Sequence, residues 1–388
     1  MLRALALAAR AVGDTSPNPL VGAVIVKDGR IVGEGHHRRA GAPHAEREAL
    51  RTARARARGG TLYVTLEPCV HRGRTAPCVP AIVAAGISRV IVAIKDPDAR
   101  VRGRGIERLR RAGVAVEVGD GAALAGAQNR AYIKQRTAGR PFVTLKIAQT
   151  KDGFIARRKG ERTPITGAQA ARFTRDERIG HDAVMIGVDT AIVDDPQLTV
   201  RPPHARAVPY TRIVVDSHGR LPLHTKLVRD LRNASTIVAT TRAMPQKIQA
   251  SLERRGIEVL VCKRLADGRV DLRDLLASLA KQGMLSVLCE AGPKLARGLL
   301  NARCVDAIHW LIAPTRFGST PAAAHAAVAA PVVGRARVTE VRRLGRDVLV
   351  KAEMEVRASS RGSSNTRVSS AKFWTNRARA NSPSKTRR

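Results

Sequence analysis

Short apolar runs rich in Val and Ile recur along this chain between stretches of helical spacing, and that alternation restricts it to α/β architectures. Near the N-terminus "ALALAARA" reads as a helix, and "VGAVIVKDGRIVGEG" as two apolar runs around Asp28-Gly29. That dipeptide tolerates positive φ and suits a two-residue hairpin turn. "HAEREALRTARAR" is helical, "TLYVTLEP" a strand and "CVPAIVAAG" a short helix stopped by Gly86. "RVIVAIKDP", "GIERLRRAG" and "VAVEVG" then read as strand, helix and strand, with Gly113 closing the helix.

A second series begins after the polar helix "LAGAQNRAYIKQRTAG". Strands are expected at "FVTLKIA", "DAVMIGV", "RIVVDS", "STIVAT", "IEVLVC", "LSVLCEAG" and "AIHWLIAP", and "ARVTEVRRLG" with "RDVLVKAEMEV" forms a closing hairpin. With 388 residues the chain exceeds one ordinary core. The reading is two α/β domains, 1–140 and 141–356. Residues 357–388 are a Ser-rich basic tail with 9 Lys or Arg and no acidic residue, expected to be disordered.

The formal charge of +37 raises the question of a nucleic-acid partner. The excess is spread: residues 1–140 already carry 25 Lys+Arg against 11 Asp+Glu. Five Phe, three Tyr and two Trp give no platform for stacked bases, so a basic RNA-binding or RNA-editing protein is the weaker reading. Five irregularly spaced cysteines do not look like a secreted disulfide framework. Without an eighteen-residue apolar run or a recognisable leader, the expectation is a cytoplasmic protein with no membrane contact.

The chemistry concentrates around His44. Pro43 suits the first position of a helix, which would place His44 and Glu46 in its first turn. Downstream, Cys69 and Cys78 each follow a proline, the second at the start of the next helix. One nitrogen and two sulfurs are three ligands of a tetrahedral zinc site whose open position takes water. Glu46 is placed to move that water's proton. H-x-E followed by paired cysteines is the signature of zinc nucleobase deaminases, here with eight residues between the cysteines instead of two. Cys262, Cys289 and Cys304 lie in apolar contexts and read as core.

"SPNPLVGAVIVKDGRIVGEGHHRRAGAPHAE", "YVTLEPCVHRGRTAPC" and "AIKDPDARVRGRGIERLRRAG" resemble the deaminase half of the bifunctional riboflavin-biosynthesis deaminase/reductases. "FVTLKIAQTKDGFIA", "ITGAQAARFTRDERIGHDAVMIGVDTAIVDDPQLTVR" and "LCEAGPKLARGLL" are similar to the reductase half. The resemblance implies a cytidine-deaminase-like α/β sandwich followed by a dihydrofolate-reductase-like α/β domain. It implies one Zn2+ in the first domain, NADPH in the second, a phosphoribosylaminopyrimidine substrate and a homo-oligomer.

By the same resemblance Asn18, His71, Arg74 and Thr75 bind the deaminase substrate. A guanidinium such as that of Arg74 independently suits a phosphate. Arg162, Arg178, Leu198, Arg201 and Glu290 line the reductase substrate site. Ala148, Pro164, Thr190, Asp194, Ser217 and the run Gly292, Pro293, Lys294, Leu295, Ala296, Arg297, Gly298 contact NADPH, and Lys146 and Asp194 take part in reduction. Read from the residues alone, Gly292-Pro293 after a buried strand opens a helix whose N-terminus suits an anion. Arg162-Thr163-Pro164 stands where the family usually has Ser-x-Trp, and Lys151 where it has a small or apolar residue.

Overall fold

The computed structural model describes residues 1–158, 160–200, 210–318, 324–325 and 335–355. Arg201 and the basic tail lie outside them. Helix α1 (Leu2–Ala9) precedes β1 (Gly22–Lys27) and β2 (Arg30–His36), an antiparallel hairpin with φ of 50° at Asp28 and 72° at Gly29. Both turn residues therefore adopt the left-handed conformation that their side chains tolerate. The domain continues through α2 (Ala45–Ala53), β3 (Thr61–Val64), α3 (Cys78–Ala84), β4 (Arg89–Val92), α4 (Arg104–Arg111) and β5 (Ala115–Val118). Its sheet runs β2-β1-β3-β4-β5, antiparallel around β1 and parallel from β3 to β5.

Small residues bring α2 close to this sheet. Ala45, Ala49 and Ala53 of α2 are fully buried. Opposite them, a Cβ on Gly33 would stand 2.3 Å from Ala49 O, and one on Gly35 2.4 Å from Ala45 O. Only glycine permits that approach. The helix starts at Ala45, with His44 as an extended N-cap residue at φ −72° and ψ 160°. Pro43 thus lies outside the helix instead of at its first position. The single polar helix expected before the second domain is two, α5 (Ala122–Gln128) and α6 (Arg130–Ala138). At their junction the Asn129 side chain accepts from Leu20 N (2.8 Å) and donates to Leu20 O (2.9 Å).

The second domain comprises β6 (Phe142–Thr150), β7 (Phe154–Ala156), α7 (Ala168–Glu177), β8 (Ala183–Gly187), α8 (Val188–Asp194), β9 (Thr211–Val215), α9 (Lys226–Arg229) and β10 (Ser235–Thr240). It goes on with α10 (Gln246–Glu253), β11 (Glu258–Val261), α11 (Leu272–Lys281), β12 (Ser286–Cys289), α12 (Pro293–Asn301), β13 (Ala307–Ala313), β14 (Ala324–His325), β15 (Ala336–Leu344) and β16 (Asp347–Met354). Its main sheet runs β11-β10-β9-β8-β12-β6-β13-β16-β15, parallel as far as β13 and closed by the expected antiparallel hairpin. The β7–β14 pair was not anticipated.

Apolar layers cover both faces of this sheet, as continuous Val/Ile runs require. One layer is built on Leu145, Leu275, Leu279 and Leu299, the other on Ile186, Val214, Leu227 and Leu252. The first domain meets the N-terminal ends of the parallel strands. Leu66 and Tyr132 are buried against Leu285, and Asp306 receives Lys134 (2.8 Å) and both ends of Arg140 (2.6 and 2.8 Å).

Candidate active sites

The expected metal ligands converge. His44 Nδ1 lies 3.5 Å from Cys69 Sγ and 3.4 Å from Cys78 Sγ, and all three donor atoms are within 4.8 Å of one another. His44 comes from the N-cap of α2 and Cys78 from the first residue of α3. Cys69 sits in the loop five residues beyond β3, further from the strand than its run suggested. The loop is tied down where Cys78 N donates to Cys69 O (3.2 Å) and Cys69 Sγ (3.4 Å).

The His44 Nε2 atom lies 3.0 Å from Thr75 Oγ1. A proton held there leaves the Nδ1 lone pair facing the sulfurs. Hydrogen bonding from Cys78 and His44 pushes the Cys69 thiol down to about 4. That anion and burial push Cys78 up. A dication among the three donors would relieve the repulsion between two thiolates, so the donor set fits zinc.

Glu46, 3 % exposed, is the buried carboxyl of this centre. Burial, then the neighbouring Cys69, raises it to about 7. The centre opens into a cavity of ≈ 360 Å³ that Asn18, His71, Arg74 and Thr75 all line. His71 Nδ1 is buried there without a hydrogen-bond partner among the described residues. Asn18 Nδ2 lies 2.9 Å from His37 Nε2. His37 and the far wall of Asp96, Asp98, Arg100 and Arg136 escaped the sequence reading.

So did Glu67. Its buried carboxylate accepts from the backbone of Asp96, Gly103, Gly105 and Ile106 at 2.8–3.2 Å, fixing the N-terminus of α4. A Cβ on Gly105 would stand 2.1 Å from Pro68 O, so a glycine there lets α4 approach the cysteine loop.

In the second domain Lys146 of β6, Arg178 after α7, Asp194 at the end of α8 and Glu290 after β12 share one electrostatic field. Arg178 Nε bonds Glu290 Oε1 at 2.7 Å and its Nη1 lies 3.4 Å from Thr199 O. Burial lowers the Lys146 ammonium against the opposing pull of Glu290. Burial raises Asp194, with Arg162 and Lys146 opposing. For Glu290 the two cations outweigh burial and hold the carboxyl below its ordinary value.

Leu198 does not join this cluster through its side chain, which is 4 % exposed in the core, although its φ of 49° is left-handed. Helix α12 opens at Gly292-Pro293 as expected, with Thr190 Oγ1 3.3 Å from where a Gly292 Cβ would be. A cavity of ≈ 560 Å³ is lined by Ser217, Lys294, Leu295 and Gly298, together with the unanticipated Arg220 and Arg269. Asp189 joins Arg220 (2.7 Å) to Lys294 (3.0 Å) at its rim. Ala296 faces the core, Arg297 and Pro164 are exposed, and Ala148 packs beside Phe173 and Leu311.

Where β13 pairs with β6, His309 stands opposite Lys146 and its ring meets the Glu177 carboxyl, a contact that no local sequence pattern shows. His309 Nδ1 is 3.0 Å from Glu177 Oε2, off the alignment of a hydrogen bond. Burial would raise Glu177, but His309, then His181 and Lys351, hold it at about 2 against an ordinary 4.5. A depressed acid stabilises the fold above its unfolded pKa and loses that contribution as pH falls through its folded value. Glu177→Gln is therefore expected to cost about 3 kcal/mol at pH 5. Urea titrations should show this gap closing between pH 4.5 and about 2; a gap independent of pH would contradict the assignment.

These features define a two-domain class: a zinc-type deaminase fold joined to a reductase-type α/β domain. The model for the cytidine and deoxycytidylate deaminase zinc-binding region matches residues 1–94, and that for the RibD C-terminal domain matches 141–350. The riboflavin biosynthesis protein RibD of Actinobacillus pleuropneumoniae is 42% identical over 322 residues, covering 83% of this chain and 85% of the relative. That of Escherichia coli is 41% identical over 337 residues, covering 82% and 88%.

Among solved structures, Acinetobacter baumannii RibD superposes with a TM-score of 0.82 at 36% identity, covering 92% of this chain and 98% of that one. A diaminohydroxyphosphoribosylaminopyrimidine deaminase/5-amino-6-(5-phosphoribosylamino)uracil reductase from Thermotoga maritima gives 0.79 at 32%, covering 91% and 97%. The chain belongs to the RibD family of bifunctional riboflavin-biosynthesis deaminase/reductases.

Proposed function

We propose that the first domain deaminates 2,5-diamino-6-hydroxy-4-(5-phosphoribosylamino)pyrimidine and that the second reduces the product's ribosyl group to give 5-amino-6-(5-phosphoribitylamino)uracil. The convergence of His44 Nδ1 with Cys69 and Cys78 Sγ beside the buried Glu46 carboxyl carries the first half of this reading. Zinc, when held by those three donors, lowers the pKa of water at its free position and supplies a nucleophile near neutral pH. Asn18 and His71 orient the pyrimidine in the cavity, and Arg74 at its rim meets the phosphate. Glu46 takes the proton of the attacking water and passes it to the departing amine. One C–O bond forms, one C–N bond breaks and ammonia leaves.

In the second domain Arg178 holds the sugar phosphate, and Lys146 protonates the ring oxygen as the ribose opens to an imine. Gly292–Gly298, Thr190 and Ser217 would hold NADPH, which when bound would supply a hydride for C1. No helix among the described residues is long and apolar enough to cross a membrane. The test uses the purified full chain with the diaminopyrimidine phosphate, first alone and then with NADPH. Ammonia should appear in the first incubation and ribitylamine only in the second; NADPH consumption without prior ammonia release would overturn the order.

The metal assignment has its own check. Zinc content should fall in Cys69→Ser and Cys78→Ser and remain in Cys262→Ser, whose thiol is buried among aliphatic side chains. Loss in all three, or in none, would contradict it.

A further inference from the structure

The segment that carries Asn18 into the deaminase cavity is gripped from both domains. On its own side, Asn18 N donates to Thr15 O (2.8 Å), and Asn129 brackets Leu20. From the other side, Ser16 Oγ donates to Asp182 Oδ1 at 2.6 Å. Asp182 belongs to the reductase domain, at the foot of β8, and is 7 % exposed. Its second oxygen accepts Leu285 N (2.7 Å) and Ser286 N (3.0 Å), while its own N–H donates to Ser286 Oγ (3.0 Å). The carboxylate is thus fixed by backbone N–H groups at the start of β12 and offers Ser16 a stationary acceptor.

Two apolar contacts accompany that bond. Pro17 lies against Gly283 of the reductase domain, where an added Cβ would stand 3.2 Å from Pro17 Cβ and the φ of 88° already favours glycine. Leu285, one of the residues that fix Asp182, is buried with Leu66 and Tyr132. Pro17, Asn18, Leu66 and Tyr132 all line the deaminase cavity. One wall of that cavity therefore rests on the neighbouring domain.

We propose that Asp182, a residue of the reductase domain, is a positioning residue for deamination: through Ser16 it sets where Pro17 and Asn18 meet the substrate. A hydrogen bond to a buried carboxylate is strong and directional. Small displacements of a substrate-contacting group are costly to binding and orientation. The inference rests on the reading of Asn18 as a substrate contact. On this view the reductase domain serves the first reaction as well as the second, as part of the scaffold of the first pocket.

The test is steady-state deamination by the full chain in Ser16→Ala, Ser16→Thr, Asp182→Asn, the Ser16→Ala/Asp182→Asn double variant and Asn18→Ala. Ser16→Ala should raise KM for the diaminopyrimidine phosphate about fivefold, leaving kcat, zinc content and NADPH-dependent reduction at their wild-type values. Ser16→Thr, which keeps the hydroxyl, should restore KM. Asp182→Asn, whose amide meets the Ser16 hydroxyl without the charge, should raise KM by less than Ser16→Ala and add nothing to it, because both act on one link. An unchanged KM in Ser16→Ala, a Thr variant as impaired as Ala, or additive effects in the double variant would overturn the proposal. If Asn18→Ala raises KM and Ser16→Ala does not, only this inference fails. An unaltered KM in Asn18→Ala removes the substrate reading and this inference together.

Discussion

Replacing Glu46 by Gln is expected to slow ammonia release by about 10²–10⁴-fold while zinc content and reduction of the deaminated intermediate stay at wild-type levels. The substitution is isosteric, so the buried position, 3 % exposed, remains filled. What is lost is the ability to take up and return a proton. Glu46 is suited to that task because burial and the Cys69 thiolate raise its carboxyl to about 7, where both protonation states are accessible near neutral pH. The amide can neither accept the proton of the attacking water nor hand one to the leaving amine. Ammonia release and metal content, measured on the same preparation, separate this role from ligand disruption. A loss below tenfold, or a parallel loss of zinc, would show that Glu46 supports the centre instead of acting in it.

The convergence of His44, Cys69 and Cys78 beside Glu46 was legible because each part has a side-chain signature: a histidine and a glutamate at a helix start, then two proline-preceded cysteines. The Asp28-Gly29 hairpin was legible for a similar reason, since few dipeptides accept positive φ at both turn positions. Glu67 was not. Its partners are backbone N–H groups of residues 96 to 106, which every sequence contains. The two-helix break at Asn129 depends on the main chain of Leu20, more than a hundred residues earlier, and no local spacing shows it. Pro43 gave a false register because the extended backbone of His44 lies between it and the helix.

The reductase cleft was less legible for a geometric reason. Lys146, Arg178, Asp194 and Glu290 come from four separate elements and meet only once the parallel sheet is assembled. Family resemblance supplied those positions; periodicity did not. Arg220 and Arg269 were lost among the 69 Lys and Arg of the chain, since charge alone does not distinguish a cavity wall from a solvated face. His309 lies in a run read as an ordinary strand, and only the register of β13 on β6 sets it beside Lys146, where it meets Glu177.

Lys146→Met should lower the kcat of NADPH-dependent reduction by about 10²–10³-fold, with deamination unchanged and NADPH binding retained. Methionine keeps the unbranched apolar stem in β6, so the packing of Leu145 and Ile147 on the opposite face is undisturbed. The ammonium is removed from beside Glu290 and Asp194. Burial lowers its pKa and so makes it a stronger acid than a free lysine, which suits it to protonate the ribose ring oxygen as C1–O breaks and the imine forms. Without that proton the oxygen departs as an alkoxide, and hydride has no imine to reduce. Glu290 keeps its 2.7 Å contact with Arg178, so the arginine proposed to hold the phosphate stays in place and KM changes little. A variant with normal kcat and a raised KM would make Lys146 a binding group, because an interaction equal in ground and transition states moves KM alone.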